Sequence, residues 1–96
     1  IYTIAYTLSL HDALPILKKL KEYDAENRTE LYKTLMTYIL NERNTVATAS
    51  DLYVGRSTLF YRLRKIKEIT GLDNEHLARP IKNLYLRLSI FLMERG

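Results

Sequence analysis

The sequence predicts an all-α fold, a small helix-turn-helix bundle of about four to five helices. Three observations predict it. Apolar residues recur at helical spacing along most of the chain, a short helical stretch is joined to a longer one by the compact turn Tyr53-Val54-Gly55, and no run alternates as a strand would. With 96 residues, 47% of them hydrophobic, the chain suits one small domain with a modest core.

The chain changes character near Pro15. Residues 1–16 hold a single charged side chain, whereas Lys18–Glu30 is densely charged. We interpret 1–16 as a leader segment of doubtful relevance, because Leu8–Ile16 also resembles a peptide that arises when sequencing-adapter DNA is translated. Residues 17–96 are interpreted as the helix-turn-helix domain. The leader lacks a basic N-terminal region and is shorter than the roughly 20 residues of a membrane span, so we predict neither signal peptide nor anchor.

The first elements of the domain are two helices separated by a polar connection. Leu17–Tyr23 is predicted as a short helix and Asp24–Asn27 as the connection. Asn27, with Glu30 three residues later, forms a variant of the capping box. The helix that follows ends near Asn41, and its apolar stripe at i, i+4, i+7 and i+8 consists of Leu31, Leu35, Tyr38 and Ile39.

The next two helices form the predicted helix-turn-helix. Asn44 or Thr45 caps a helix of about two turns, whose inward face is expected to carry Val46, Ala49 and Leu52. After the turn, a longer helix is predicted over about 56–70, and Gly71 supplies its C-terminal stop. The inward stripe of this longer helix consists of Leu59, Leu63, Ile66 and Thr70.

The end of the chain predicts one more helix. Residues 74–79 are interpreted as a turn or short helix, and Pro80 occupies the first turn of the last helix. We expect this helix either to close the core or to supply a contact between two copies. Its predicted apolar stripe consists of Ile81, Leu84, Tyr85, Leu88, Phe91 and Leu92.

The formal net charge of +4 lies on one of these helices. Residues 55–70 hold five of the fifteen basic residues and one acid, Glu68, so the rest of the chain is neutral as a whole. A basic helical face alone is most often solvated surface. Placed after a short helix and a tight turn, however, it is typical of a recognition helix that enters the major groove of DNA.

The side of this helix opposite its inward stripe is predicted to bind DNA. Arg56, at the helix start, can donate two hydrogen bonds to guanine. Ser57, Tyr61 and Arg64 can reach bases or sugars, and Arg62 can contact either bases or phosphates. Thr45, Thr58 and Lys65 suit phosphate oxygens. The predicted DNA-binding residues are Thr45, Arg56, Ser57, Thr58, Tyr61, Arg62, Arg64 and Lys65.

Composition and spacing argue against other chemistry. Without cysteine there are no disulfides or thiolate metal sites, and a reducing cytoplasm is the expected location. His11 and His76 lack a partner at metal-ligand spacing, and the three glycines form no phosphate loop. Ser50-Asp51 has no histidine nearby in sequence for a triad. We therefore predict no enzyme and no cofactor.

Four motifs within about residues 17–93 carry a family resemblance: Tyr23-Asp24, Thr34-Leu35 with Tyr38, Asn44 with Ala49, and RSTLFYRLRKIKEITGLD at 56–73. They resemble the C-terminal helix-turn-helix domain of the bacterial PucR/CdaR regulators, which control purine catabolism and sugar-diacid use. The pattern R-x-T-L-x-x-x-L that begins at Arg56 is also similar to Fis-type DNA-binding helices. The resemblance implies a sequence-specific transcription regulator whose effector-sensing region lies outside this chain.

Three positions depart from the family pattern. Gly55 stands where the family commonly has His, Ser57 where it has Asn, and Phe60 where it is often basic. Ser57 lacks the amide that reads adenine, which implies a different target preference.

We expect double-stranded DNA as the partner and a homodimer, because operators are commonly two-fold. Two other hypotheses stay open. The chain could be a helical protein-interaction module whose basic face binds an acidic partner, or a fragment that is inactive alone.

Overall fold

The computed structural model describes residues 10–72 and 77–95, and within these ranges every long element is an α-helix. The order is α1 (Leu10–Asn27), α2 (Leu31–Leu40), α3 (Thr45–Leu52), α4 (Arg56–Thr70) and α5 (Pro80–Arg95). The predicted all-α bundle is confirmed. Of the expected turn or short helix over 74–79, residues 74–76 lie outside the described part, and Leu77 and Ala78 are helical.

Helix α1 is longer than the predicted Leu17–Tyr23. It runs from Leu10 to Asn27 and contains Pro15. One continuous apolar face explains the length, because its members recur at i, i+3, i+4 and i+7 and pack mainly against α5. That face consists of Ala13, Ile16, Leu17 and Leu20, all of them buried. Residues 10–16 thus belong to the same helix as the start of the domain.

The corner between α1 and α2 differs from the prediction. Residues 24–27 are helical, so the expected polar connection is wrong, and so is the expected capping box at Asn27. Asp24 provides the cap instead: its two carboxylate oxygens accept hydrogen bonds from the amides of Leu31 at 2.9 Å and Tyr32 at 2.8 Å. The N-cap residue Glu30 makes no side-chain capping bond. The carboxylate of α1 thus satisfies two amides at the start of α2.

Helix α2 lies at the centre of the bundle and contacts each of the other four helices. Its predicted stripe is confirmed, since Leu31, Leu35, Tyr38 and Ile39 are all buried. The helix ends at its C-cap Asn41, close to the predicted position.

Helix α5 begins at Pro80 as predicted, but its predicted inward stripe is wrong. Leu86, Ser89 and Ile90 are buried, and Tyr85 is half-buried. The side chain of Ile81 lies outside the described part. The other predicted members, Leu84, Leu88, Phe91 and Leu92, are 41–56% exposed.

A hydrogen-bonded arginine accounts for the orientation of α5. Apolar residues surround much of this helix, so periodicity alone does not select the buried side. The Arg87 guanidinium donates to the carbonyl oxygen of Ile39 at 3.1 Å and lies 2.8 Å from a carboxylate oxygen of Glu42. These bonds join α5 to the end of α2.

Candidate nucleic-acid interface

Asn44 caps α3. Its side-chain oxygen accepts a hydrogen bond from the amide of Ala47 at 2.9 Å, which selects Asn44 over Thr45 as the cap. The Asn41 side chain donates to the carboxylate of Asp51 at 2.9 Å. Both ends of α3 are therefore held by residues at or after the end of α2.

The buried side of α3 differs from the predicted one. Val46 is 80% exposed, while Ala49 and Leu52 are half-buried. The fully buried side chain is Thr48, whose hydroxyl donates to the carbonyl of Asn44 at 2.7 Å. A threonine whose hydroxyl bonds to its own helix can be buried at little cost, and a count of apolar residues does not detect it.

The predicted turn is confirmed. Tyr53 adopts the left-handed conformation, with φ of 57° and ψ of 42°, and its side chain is 94% exposed. The amides of Tyr53 and Val54 donate back to the carbonyls of Ser50 and Ala49, both at 3.1 Å. These bonds end α3 and turn the chain into α4.

Helix α4 buries one face as predicted. Leu59, Ile66 and Thr70 are at most 3% exposed, and Leu63 is half-buried against the core. Gly71 ends the helix with φ of 79°.

The predicted outward side chains are exposed together. Arg56, Ser57, Thr58, Tyr61 and Arg64 all lie on the solvent side of α4. The Arg56 guanidinium stacks on the ring of Phe60, 5.5 Å from the centroid. The N-cap residue Gly55 makes no side-chain capping bond to the amides in the first turn of α4.

Two other predicted residues, Arg62 and Lys65, contact other side chains of the bundle. The Arg62 guanidinium donates to the Thr34 hydroxyl at 3.2 Å and lies 3.9 Å from the Glu30 carboxylate. The Lys65 ammonium lies 3.9 Å from the Glu68 carboxylate, and 6.0 Å from the centroid of the Tyr23 ring. Thr45, the eighth predicted residue, is half-buried at the start of α3.

Lys67 was not among the predicted residues, although it belongs to the same basic run. It lies on the side of α4 that also carries Phe60 and Arg64, and these three residues line an apolar pocket. The spacing i, i+4, i+7 of residues 60, 64 and 67 is the signal that could have grouped them.

A short capped helix, a tight turn and a longer helix with one buried stripe and one basic exposed face define the helix-turn-helix class of DNA-binding domains. The profile of the PucR C-terminal helix-turn-helix domain family matches residues 31–90. The chain belongs to this family.

Its curated relatives include transcription regulators. The proline-responsive transcriptional activator PutR of Bacillus subtilis is 44% identical over 74 residues, which are 77% of this chain and 18% of that protein. The transcriptional activator PmfR of Paenarthrobacter nicotinovorans is 49% identical over 45 residues, which cover 47% and 10% of the two chains. The carbohydrate diacid regulator of Escherichia coli K12 is 40% identical over 57 residues, which cover 59% and 14%.

The chain thus spans less than a fifth of the length of these relatives. No solved structure matched the chain. Family and relatives identify it as a DNA-binding domain of PucR/CdaR-type transcription regulators, and they do not favour the interaction module that binds an acidic partner. Along residues 10–72 and 77–95, none of the helices combines the length and the apolar character that crossing a bilayer requires.

Proposed function

We propose that this domain recognises specific double-stranded DNA sequences by inserting α4 into the major groove. The observation that carries the proposal is the division of α4 into two faces. Leu59 and Ile66 are buried against the bundle, while Ser57, Tyr61 and Arg64 are exposed. A groove-reading helix needs one face attached to the domain and another free for base edges and phosphates.

Arg56 is assigned the main base contact. Its position at the start of α4 is where recognition helices read base edges, and stacking on Phe60 restricts its guanidinium. Thr45, Thr58 and the uncapped amides at the start of α4 are assigned to phosphate oxygens. Lys65 is assigned to phosphate too, since its contact with Glu68 is at a partly exposed position and is weak. Arg62 contacts DNA only if its guanidinium gives up the hydrogen bond to the Thr34 hydroxyl.

We also infer that two copies act together through the exposed apolar side of α5. Four large side chains that are about half exposed amount to on the order of 400 Å² of surface per copy. The total of about 800 Å² for two copies is below the roughly 1,000 Å² expected of a stable interface, so the pairing is weak in solution and is completed on a two-fold DNA site. The four side chains are Leu84, Leu88, Phe91 and Leu92.

We further propose that the domain is the DNA-binding part of a cytoplasmic regulator, that an effector binds to a region outside this chain, and that the domain is not an enzyme. Membership in the PucR family supports these assignments.

Binding to genomic DNA fragments tests the proposal. The logarithm of affinity should fall against the logarithm of salt concentration with a slope of about −4 to −5 per copy, because phosphate contacts release counterions. Arg56→Ala should weaken the preferred sequence by about 1–3 kcal/mol and relax base preference, whereas Lys65→Ala should weaken all sequences alike. Fluorescence anisotropy over a salt series measures both effects.

The matched control is Lys33→Ala, which removes an exposed lysine of α2. It should leave the affinity for the preferred fragment unchanged. A salt-independent affinity, or full binding by both Arg56→Ala and Arg64→Ala, would contradict the proposed mode. A stable complex with an acidic protein in place of DNA would favour the interaction module.

A further inference from the structure

An apolar pocket of about 300 Å³ lies beside the recognition helix. Its walls come from α2, through Leu35 and Tyr38, and from one side of α4. Leu72 and Leu77, which follow α4, also line the pocket. A concave apolar cavity of this size is at the lower limit of small-molecule sites.

Two cations border this pocket. Arg64 and Lys67 are exposed and three residues apart on α4, so both side chains lie on its pocket side. Neither has a carboxylate partner within the described part of the chain. Three other basic side chains of the bundle do have one, since Arg62, Lys65 and Arg87 each lie within 3.9 Å of a carboxylate oxygen.

We propose that this pocket binds a small amphiphilic organic anion, a carboxylate with a short hydrocarbon or aromatic tail. The tail contacts Leu35, Leu63 and Leu72, and the carboxylate accepts charge-assisted hydrogen bonds from Arg64 and Lys67. The apolar lining alone would accept a neutral molecule, but the two cations, which form no ion pair with a described carboxylate, select an anion.

Occupation of the pocket affects DNA binding through Arg64. This side chain belongs to both the pocket and the proposed DNA face, so a carboxylate bound to it removes one contact from the groove. Bound anion and DNA therefore compete. The competition rests on the proposed function, whereas the binding of the anion does not.

Titration of the full chain with hexanoate, followed by amide and methyl NMR, tests the site without DNA. Hexanoate should shift the resonances of Leu63 and Leu72, while acetate, which lacks the tail, and hexylamine, which has the opposite charge, should not. Lys67→Gln should weaken hexanoate binding about tenfold or more, since it removes one charge-assisted hydrogen bond. Lys33→Gln, the same change outside the pocket, should bind like the wild type.

Absence of hexanoate shifts at these leucines, or equal binding of hexylamine, would overturn the proposal. So would an unchanged hexanoate affinity in Lys67→Gln.

Competition is measured by anisotropy with a DNA fragment, with acetate at equal concentration as the ionic-strength control. Hexanoate should weaken DNA binding by the wild type more than acetate does, and it should have no such extra effect on Lys67→Gln. If hexanoate binds and DNA affinity stays the same, the competition is wrong. If no fragment binds at any salt concentration, the proposed function fails, and the NMR titration still decides the ligand site.

Discussion

At the scale of single residues, Asp24 determines how the first two helices meet. Its carboxylate accepts from two amides of α2 that are seven and eight residues later in the chain. An anion near the N-terminus of α2 is also favoured by the helix dipole. This residue forms part of the Tyr23-Asp24 motif, which the family resemblance highlighted without explaining it.

Asp24→Ala should destabilise the domain by about 0.5–2 kcal/mol, the usual cost of a lost N-terminal cap. Urea unfolding measures the change. Glu26→Ala, which removes an exposed acid from the same helix, should have little effect. Equal losses in the two variants would show that the cap at α2 is unimportant.

Tyr32 makes stability sensitive to alkaline pH. Burial, and then its hydrogen bond to Glu94 at 3.0 Å, raise the pKa of Tyr32 from 10.0 to about 12. The stabilisation is complete below pH 10, where folded and unfolded chains both keep the proton. Above pH 10 the unfolded chain loses the proton first, so stability falls as the pH approaches 12.

In Tyr32→Phe, the fall in unfolding free energy between pH 10 and pH 12 should therefore be shallower than in the wild type, whose Tyr32 has a pKa near 12. At neutral pH the variant should be about 1 kcal/mol less stable, because the bond to Glu94 is lost. Denaturant unfolding over a pH series measures both. Identical alkaline slopes would contradict this role of Tyr32.

At the scale of elements, the turn between α3 and α4 contains conformational strain. Tyr53 has a positive φ, which costs a residue with a Cβ roughly 1–2 kcal/mol. Its side chain is 94% exposed, so it makes little packing that could offset the cost.

Tyr53→Gly should raise the free energy of unfolding by about 1 kcal/mol, because glycine adopts this conformation freely. Gly71→Ala is the converse change at φ of 79° and should destabilise by a similar amount. Thermal unfolding of the two variants provides the comparison. A loss of stability in Tyr53→Gly would mean that the exposed ring makes a contact of its own.

The elements also differ in how well the sequence predicts them. The buried apolar stripe of α4 and its C-terminal end were predicted correctly. Leu59 and Ile66 follow the helical period, and Gly71 is the residue type that usually ends a helix. The Asp24 cap was missed because its partners lie seven and eight residues later in the chain, beyond the three-residue spacing of a capping box. On α5 the predicted side was wrong because apolar residues occupy several faces, and the bonds of Arg87 to α2 select among them.

The candidate site was predicted only in part for the same reason. Local spacing identified the exposed side of α4 correctly. The attachment of Arg62 to Thr34 depends on a packing partner 28 residues earlier in the chain, and the pocket beside Lys67 is formed by three separate segments. Neither can be deduced from periodicity along one helix.

At the scale of the whole molecule, the exposed stripe of α5 is the surface to which we assign the proposed pairing. Leu88→Gln should remove cooperativity from binding to a DNA fragment with two half-sites, while one half-site should bind as before. Leu88 is 41% exposed, so the fold should tolerate the change. Gel-shift titrations on the two fragments measure the difference.

The control for this experiment is Leu40→Gln, since Leu40 is 53% exposed but lies on α2. It should bind both fragments like the wild type. Pairing through α5 would be contradicted if Leu88→Gln stayed cooperative, or if Leu40→Gln lost cooperativity to the same extent.

The anchoring of Arg87 to the end of α2 has a geometric consequence for such a pair. Because α2 contacts every other helix, we expect the angle between the α5 stripe and α4 to stay the same in each copy. Two copies joined through α5 would then hold their two α4 helices at a constant distance and orientation. Such a pair accepts operators of one spacing and rejects those with base pairs inserted at the centre.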